Sequence, residues 1–516
     1  MIRLHVFSEI PRDELDGEEY REGEKKGVDL SHTYSYLVFF HYSRDLSSEM
    51  ATVTSLTLSL LFLSHGTLHR EGWRTEGPSA VSSDDLIHLV VAVAQSNTAE
   101  LKQTLLDVSN ATGPKFGHHL SNAQVNALVA PTVAARDAVY SWLAESGVTN
   151  AAPLTPNGDF VGATVSIGTA STLLNATFSL YVSTSSGETV VRPTEAYTLP
   201  ESVAMHIDFV SPMASLPSHR PRVVRSAGLA RSEITRVTPQ FLRKLYSMTD
   251  ADVGKGAASN NTQAIASFIE QYYAHSDNTA FWKKYGNAGV TTPFMDVPPT
   301  QKHTPVGTEA ALDTQYIAAL GAGISTEVWY TEGTQPGNVA NEPFISFLTK
   351  LASTDAAPSL FSMSYGDEED GVVKAYALRC NVEFMKAGAR GISLLAAAGD
   401  SGAGCGTLAS FSLPRPMHIR FIRLHRSFEF FIILKTFVAA GRYVPTFPAS
   451  SPWITAVGGL QGGAKGASSE VVWPSGGGGF SNYFPRPSYQ DAAVKAYLAQ
   501  SGLPKQVSFY FNRSYD

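Results

Sequence analysis

Only two cysteines, Cys380 and Cys405, occur in 516 residues. So few exclude a disulfide-built scaffold and a four-cysteine zinc site. Charge is also scarce, with 16% of residues charged against 43% hydrophobic; chain-wide disorder needs the opposite balance. Nor is there a basic excess, because Lys+Arg 39 against Asp+Glu 46 leaves a net charge of −7. A general nucleic-acid binder needs a basic face, so nucleic acid is not an expected partner. No apolar run reaches the roughly 18 residues that span a bilayer, so a membrane is not one either. What is left is a globular chain with about three domains' worth of residues, at roughly 150 per domain.

Residues 1–49 differ from the rest and read as an N-terminal extension. Carboxylates crowd between Glu9 and Asp29 (Asp13, Glu14, Asp16, Glu18, Glu19, Glu22 and Glu24), and such a stretch buries too little apolar area to fold alone. Met50 then precedes an apolar run, Leu56–Leu63, and the small-residue triplet Ser64-His65-Gly66. Residues 50–66 thus have the form of a secretory signal peptide starting at Met50; a buried strand or helix is the alternative. N-x-Ser/Thr sequons at Asn110, Asn175, Asn260 and Asn512 are candidate glycosylation sites that favour the secretory route.

Residues 80–212 read as a compact α+β unit. Ile87–Gln95 and Phe160–Ile167 have strand patterns; Thr98–Ser109, Asn122–Val129, Ala134–Ser146 and Thr169–Leu180 have helical ones. The order predicts a small open sheet with helices on one face. No acid–base constellation falls in this unit, so its expected role is structural or regulatory. Residues 213–236 form a linker broken by Pro217 and Pro221 and studded with Arg220, Arg222, Arg225, Arg231 and Arg236, a composition that suits either a processing site or an ordinary solvated connection.

From Val237 onward strands and helices alternate. Gln263–Gln271, Glu327–Tyr330, Ser359–Ser364 and Ile392–Ala398 are strand-like; Glu309–Ala322, Pro343–Ala352 and Val372–Ala389 are helical. This order predicts an α/β domain with a mostly parallel sheet covered by helices on both faces. Ligands in such folds sit beyond the carboxyl ends of the strands, where Tyr365-Gly366 and Gly399–Gly402 fall.

Glu309 and Asp313, at i and i+4, share a helix face. Such a pair is either solvated or functional. Its apolar surroundings, Ala310, Ala311, Leu312, Ile317 and Ala318, make the second reading worth holding, because burying two carboxylates is costly. A shared proton would suit acid–base work at low pH. Asp400 reads either as a turn aspartate or as a catalytic carboxyl group.

Val237–Thr249, Glu309–Asp313 (EAALD), Ser362–Asp370 (SMSYGDEED), Phe384–Cys405, Pro445–Gly459 and Gly476–Gln490 resemble, in that order, the sedolisin family of serine-carboxyl peptidases. The resemblance runs from about residue 85 to the end with one interruption. It implies a subtilisin-like α/β parallel-sheet catalytic domain, here incomplete, over 237–516, preceded by an α+β ferredoxin-like prodomain that acts as an intramolecular inhibitor. It further implies Glu309 as general base for a nucleophilic serine, Asp313 as the group orienting Glu309, and Asp400 as a protonated donor in the oxyanion hole. Ser364, Tyr365, Gly366, Gly477 and Gly478 would line the cleft for peptide or protein substrates. The expected activity is acid-side peptide hydrolysis, with release of N-terminal tripeptides as one form, in a secreted or lysosome-like acidic compartment. A glutamate base and a neutral carboxylic donor both call for acid.

Three features depart from the pattern. The Gly-Thr-Ser-x-Ser motif of the family's nucleophile is absent, and Gly406–Ser410 is a poor imitation just behind Asp400. The calcium loop that follows that motif is missing, so no cofactor is expected in this chain although calcium is expected for the complete family domain. Residues 411–444 form a basic, aromatic insertion with an apolar run, Phe428–Phe437, which reads as translated intron or, alternatively, as a membrane-surface loop. The second function reading is therefore an inactive, truncated pseudopeptidase that binds peptides or regulates a homologue. Cys380 reads as a buried or free thiol, with a Cys380–Cys405 bridge left open.

Overall fold

Six short runs rich in Ala, Val, Leu and Thr align as one all-parallel sheet in the order Met295–Val297, Ser325–Tyr330, Thr262–Ser267, Leu360–Met363, Ser393–Ala397 and Thr455–Val457. The structure, a computed structural model, describes residues 73–184, 187, 189–212, 216, 237–250, 260–269, 271–285, 294–298, 306–331, 343–400, 444–463, 466 and 469–501, together with the backbone of strands at 6–7, 36–39 and 431–434. The parallel α/β sheet expected from the alternation of patterns is thus present.

Helices pack on both faces, as a parallel sheet requires. On one face, Ala310, Ala318 and Ala319 of the Thr308–Leu320 helix pack with Ile265 and Val328. On the other, Phe347, Leu348 and Phe384 of the helices Phe344–Ala352 and Lys374–Ala389 pack with Ala264, Phe361, Met363, Leu394 and Ala396. The first face is covered over only part of its width. Ser362, Leu395 and Ala397 are half-buried, and Thr455 and Val457 are exposed, Val457 at 51%. Among the described residues no helix lies over that strip.

The N-terminal part is built on an antiparallel sheet ordered Ala152–Pro153, Phe160–Ser166, Leu86–Val93 and Ile207–Ser211. Leu89, Val91 and Val93 face the helices Val133–Glu145 and Ile167–Leu174. The opposite face, with Val90, Ala92, Phe160 and Phe209, joins the core formed by Tyr376, Phe384 and Ile345. The remaining two helices correct the expectation of helices on a single face. Leu101 and Leu105 of Thr98–Ser109 and Val125 of Asn122–Leu128 pack on Met385 and Ala389 of the Lys374–Ala389 helix instead. A second sheet joins Trp73–Gly77, Phe178–Ser183 and Thr189–Pro193.

The helix expected over Thr169–Leu180 spans Ile167–Leu174 and stops at Asn175, whose φ of 46° lies in the left-handed region; a strand, Phe178–Ser183, follows. Asn tolerates that conformation and closes helices through it. The strand expected over Gln263–Gln271 ends at Ser267, ahead of Ile269 with φ 54°.

Residues 1–66 and 405–442 form a separate unit, within which Val6–Phe7, Tyr36–Phe39 and Phe431–Leu434 pair as a three-stranded antiparallel sheet. The two segments that depart most from the rest of the sequence therefore pair with each other. The signal-like run 50–66 lies outside the described residues, as do Asn512, Cys405 and nearly all of the linker 213–236.

Candidate active site

The Thr308–Leu320 helix starts at Gly307, where a Cβ would lie 1.7 Å from Gln271 Oε1. A larger residue there would have to displace the Gln271 side chain. The Gly307 N–H donates to the Tyr272 carbonyl (2.8 Å), and Val306 bridges Tyr272, so the start of the helix is fixed to the end of the Thr262–Ser267 strand. Glu309 enters in the first turn, where the helix dipole favours a negative charge. Asp313 follows one turn on, over the sheet.

Asp313 Oδ1 accepts a hydrogen bond from Ser364 Oγ at 2.7 Å. Asp313 Oδ2 is buried without a hydrogen-bond partner. Burial pushes this carboxyl up to about 7; the Ser364 hydroxyl opposes that and the Glu309 charge adds to it. Asp313 thus has a poorly solvated carboxyl, with Glu309 half-buried one turn before it. Asp313 also borders a cavity of about 530 Å³ whose walls include Met248, Ile265, Leu312, Tyr316 and Ser362.

Ser364, Tyr365 and Gly366 leave the carboxyl end of Leu360–Met363. Tyr365 is buried and packs edge-on to Phe268, with ring centroids 5.2 Å apart. Its phenol is pushed well above its usual range by burial first, with the negative charges of Asp313 and Glu309 adding to the rise. A Cβ on Gly366 would come within 2.6 Å of the Phe447 carbonyl oxygen.

Asp400 follows the neighbouring strand, Ser393–Ala397. Met363 is paired with Ala396 in parallel register, so Ser364 and Asp400 emerge from adjacent strands at one end of the sheet. Asp400 is exposed; Gly399 before it has φ 106°, and a Cβ there would come within 2.6 Å of Thr446 Oγ1. Gly477 lies against this strand end. Its N–H donates to the Gly399 carbonyl at 2.8 Å, and a Cβ on it would overlap the Ala398 carbonyl oxygen at 1.7 Å. Gly478 faces open space. Two groups therefore form at the carboxyl end of the sheet: Glu309, Asp313, Ser364 and Tyr365 on one side, and Asp400, Gly366, Gly477 and Gly478 on the other.

Sequence reasoning missed two supports of this site. Glu369 is fully buried and accepts from Ser481 Oγ (2.5 Å) and the Asn482 N–H (2.6 Å), which anchors the chain just after the Gly476–Gly479 run. An acidic run, GDEED, gave no sign of which carboxylate turns inward. The second is an ion cluster between the N-terminal part and the Lys374–Ala389 helix. Arg379 meets Asp159 (3.2 Å), Asp208 (2.7 Å) and Glu383 (3.2 Å), and Lys386 meets Asp159 (3.0 Å) and Glu383 (2.7 Å). Burial would raise the Asp159 carboxyl, but the Lys386 and Arg379 charges outweigh it and hold the group well below the usual carboxylate range. Only the i, i+4 and i, i+3 spacings of Arg379, Glu383 and Lys386 could have signalled it.

Cys380 is a buried thiol in the middle of this helix, pushed well above its usual range by burial. Among the described residues no group of three or more His, Cys, Asp or Glu side chains could hold a metal ion, and no helix is long and apolar enough to cross a membrane.

Residues 71–216 match the family model for the pro-kumamolisin activation domain. Tripeptidyl-peptidase 1 of Pongo abelii is 37% identical over 454 residues, covering 86% of this chain and 73% of that protein. Tripeptidyl-peptidase 1 of Homo sapiens is 36% identical with the same coverage, and that of Mus musculus is 35% identical over 452 residues.

Proposed function

This chain belongs to the sedolisin family of serine-carboxyl peptidases, and we propose that it works in acid, hydrolysing peptide bonds and releasing tripeptides from free N-termini. The activation-domain match ahead of the α/β sheet makes it a peptidase of the zymogen type. The order of the N-terminal antiparallel sheet supports reading that part as a ferredoxin-like prodomain that blocks the cleft and is cut free within 213–236. The six-stranded parallel sheet supports a subtilisin-like catalytic domain.

The observation that carries the reading is the Asp313 carboxyl, buried beside Glu309 and pushed up to about 7. Below that pH Asp313 keeps its proton, so the pair's negative charge falls to Glu309. Glu309 is then the general base for a serine hydroxyl; Asp313, whose Oδ2 meets no partner in this structure, is the neutral carboxyl that orients Glu309 once the two side chains meet. Asp400, at the end of the adjacent strand, is the donor to the oxyanion, a role that a carboxylic acid fills only while protonated. Gly478, which faces open space, lets a peptide backbone approach closely, while Gly366 and Gly477 admit the chain's own Phe447 and Ala398 carbonyls beside it, with Ser364 on the wall opposite and Tyr365 buried behind it.

The 516 residues hold no Gly-Thr-Ser-x-Ser sequence. We read the nucleophile as belonging to a segment outside them, and the open strip beside Ser362 and Leu395 as where it packs. Calcium is expected for the complete domain, but the described residues do not fit a metal site and no step here uses one. The compartment is read as secreted or lysosome-like, with translation from Met50. Asn110, Asn175 and Asn260 are exposed, and Asn110 Oδ1 accepts from Thr112 Oγ1 (2.9 Å) within its sequon; these three and Asn512 are read as glycosylation sites.

Incubating the purified chain with free-amine peptides from pH 3.5 to 7.5, alone and extended by a segment bearing the motif, tests the reading. Tripeptide release in acid by the extended form alone supports it. Turnover by the 516-residue chain itself, or none by either, contradicts it.

A further inference from the structure

We propose that Ser364 is a positioning residue acting through Asp313, its hydroxyl occupying Asp313 Oδ1 and so reserving Oδ2 for the proton of the Glu309–Asp313 pair. This rests on the reading of that pair as the base of a peptidase, and it goes beyond a place for Ser364 on the cleft wall.

The hydroxyl is held from both sides along the chain. Met363 is 1% exposed and paired in register between Ala266 and Ala396, and Tyr365 is 3% exposed and packed edge-on to Phe268. Alternation then turns Ser364 toward the opposite face, the one covered by the Thr308–Leu320 helix. That helix is fixed in turn. Thr314 Oγ1 donates to the Ala310 carbonyl (2.7 Å), and Trp282 Nε1 donates to the Gln315 carbonyl (3.0 Å). Two locked elements meet at the 2.7 Å contact between Ser364 Oγ and Asp313 Oδ1.

The electrostatics around Asp313 give this contact its consequence. Glu309 faces it from its own helix, and the phenols of Tyr365 and Tyr316 border it from the sheet end and from the cavity. Among the described residues the cavity lining contains no cation. Burial and Glu309 both disfavour the carboxylate, and Ser364 favours it. Ser364 Oγ donates to Oδ1, so a proton on Oδ1 would cost that bond; Oδ2, which meets no partner in this structure, is the oxygen left to carry it, and Glu309 becomes its acceptor only when its side chain turns to Oδ2. Without the hydroxyl the carboxyl can turn over, and its proton spreads over both oxygens. The pair then titrates higher and points its proton less well, which lowers kcat more than it changes KM.

Carboxyl-13C aspartate labelling of the full chain, followed by NMR from pH 4 to 9, tests this without needing turnover; Asp313→Asn assigns the signal. The wild type is expected to titrate near 7. Ser364→Ala should move the midpoint up by roughly one pH unit, the worth of one hydrogen bond to a carboxylate. Ser364→Thr, which keeps the hydroxyl, should restore it. Ser364→Cys, a weaker donor of similar volume, should also move it up and serves if the alanine variant does not fold. A midpoint that Ser364→Ala and Ser364→Cys leave unmoved, or lower, overturns the proposal. A wild-type midpoint near 4 that still rises in Ser364→Ala keeps the Ser364 link and overturns the acid-pair reading.

Discussion

Arg379 and Asp159 meet at 3.2 Å with side chains only 1% and 0% exposed, joining the Lys374–Ala389 helix to the N-terminal sheet. Few contacts in the molecule isolate two opposite charges so completely. The guanidinium also donates to the Val93 carbonyl (2.7 Å) and the Asp159 carbonyl (3.0 Å), and lies over the Phe160 ring. Gln95 adds a bond to Asp159 at 2.6 Å.

Asp159→Ala is therefore expected to leave Arg379 and Lys386 buried with too little counter-charge. Breaking one side of a buried pair costs roughly 3–5 kcal/mol. Denaturant unfolding of the purified chain checks this; a loss below about 1 kcal/mol would mean that water or Glu383 takes over the contact.

The same cluster should persist in acid. A carboxyl whose folded-state pKa is depressed contributes stability that is present above its unfolded value of 3.8 and is lost only as pH falls through the lower folded value. Acidification to pH 4.5 should thus leave Asp159 ionised and its ion pairs intact in the uncut chain, so that release of the N-terminal part needs cleavage within 213–236 and not acid alone. Denaturant unfolding of the uncut chain at pH 4.5 and at pH 7 should give the same Asp159→Ala penalty. A penalty that disappears at pH 4.5 would show that Asp159 is protonated there.

Asp313 has the opposite sign. Its folded-state value is raised from 3.8 to about 7, so its contribution is complete below the unfolded value and is lost as pH rises through the folded one. The change corresponds to roughly 4 kcal/mol between the two ends of that window. Asp313→Asn cannot ionise, so relative to wild type it should gain stability at pH 8 over pH 4.5. Parallel thermal melts of the two proteins at both pH values measure it, and an equal offset at both would remove the case for a buried acid.

How much of this was legible in the sequence depends on the range of the interaction. Four of the six strands of the parallel sheet and the Lys374–Ala389 helix could be read from apolar periodicity, and Glu309 with Asp313 from their spacing on an apolar helix. The Ser364 contact could not, because it depends on the crossover that sets Leu360–Met363 beside Thr262–Ser267. Nothing local marks Asp159, which lies in a turn-prone Pro-Asn-Gly-Asp run while its ion-pair partners Arg379 and Lys386 lie more than 200 residues away. The strand Phe178–Ser183 was hidden by a helical pattern continuing past Asn175, where one left-handed residue ends the helix. Extended runs such as Thr455–Val457, three residues long, carry too little period to register.

The most direct measurement of the central claim is the pH dependence of kcat for an enzyme carrying a Gly-Thr-Ser-x-Ser segment, with residues 411–440 excised, against its Glu309→Gln, Asp313→Asn and Asp400→Asn variants. The account predicts activity confined to acid. Glu309→Gln and Asp313→Asn should lower kcat on the order of 10²–10³-fold or more, as losing a base or a transition-state donor does. Asp400→Asn should keep part of the activity, because asparagine still donates a hydrogen bond to the oxyanion. A neutral optimum, or three variants indistinguishable from wild type, would contradict the assignment of these carboxyl groups.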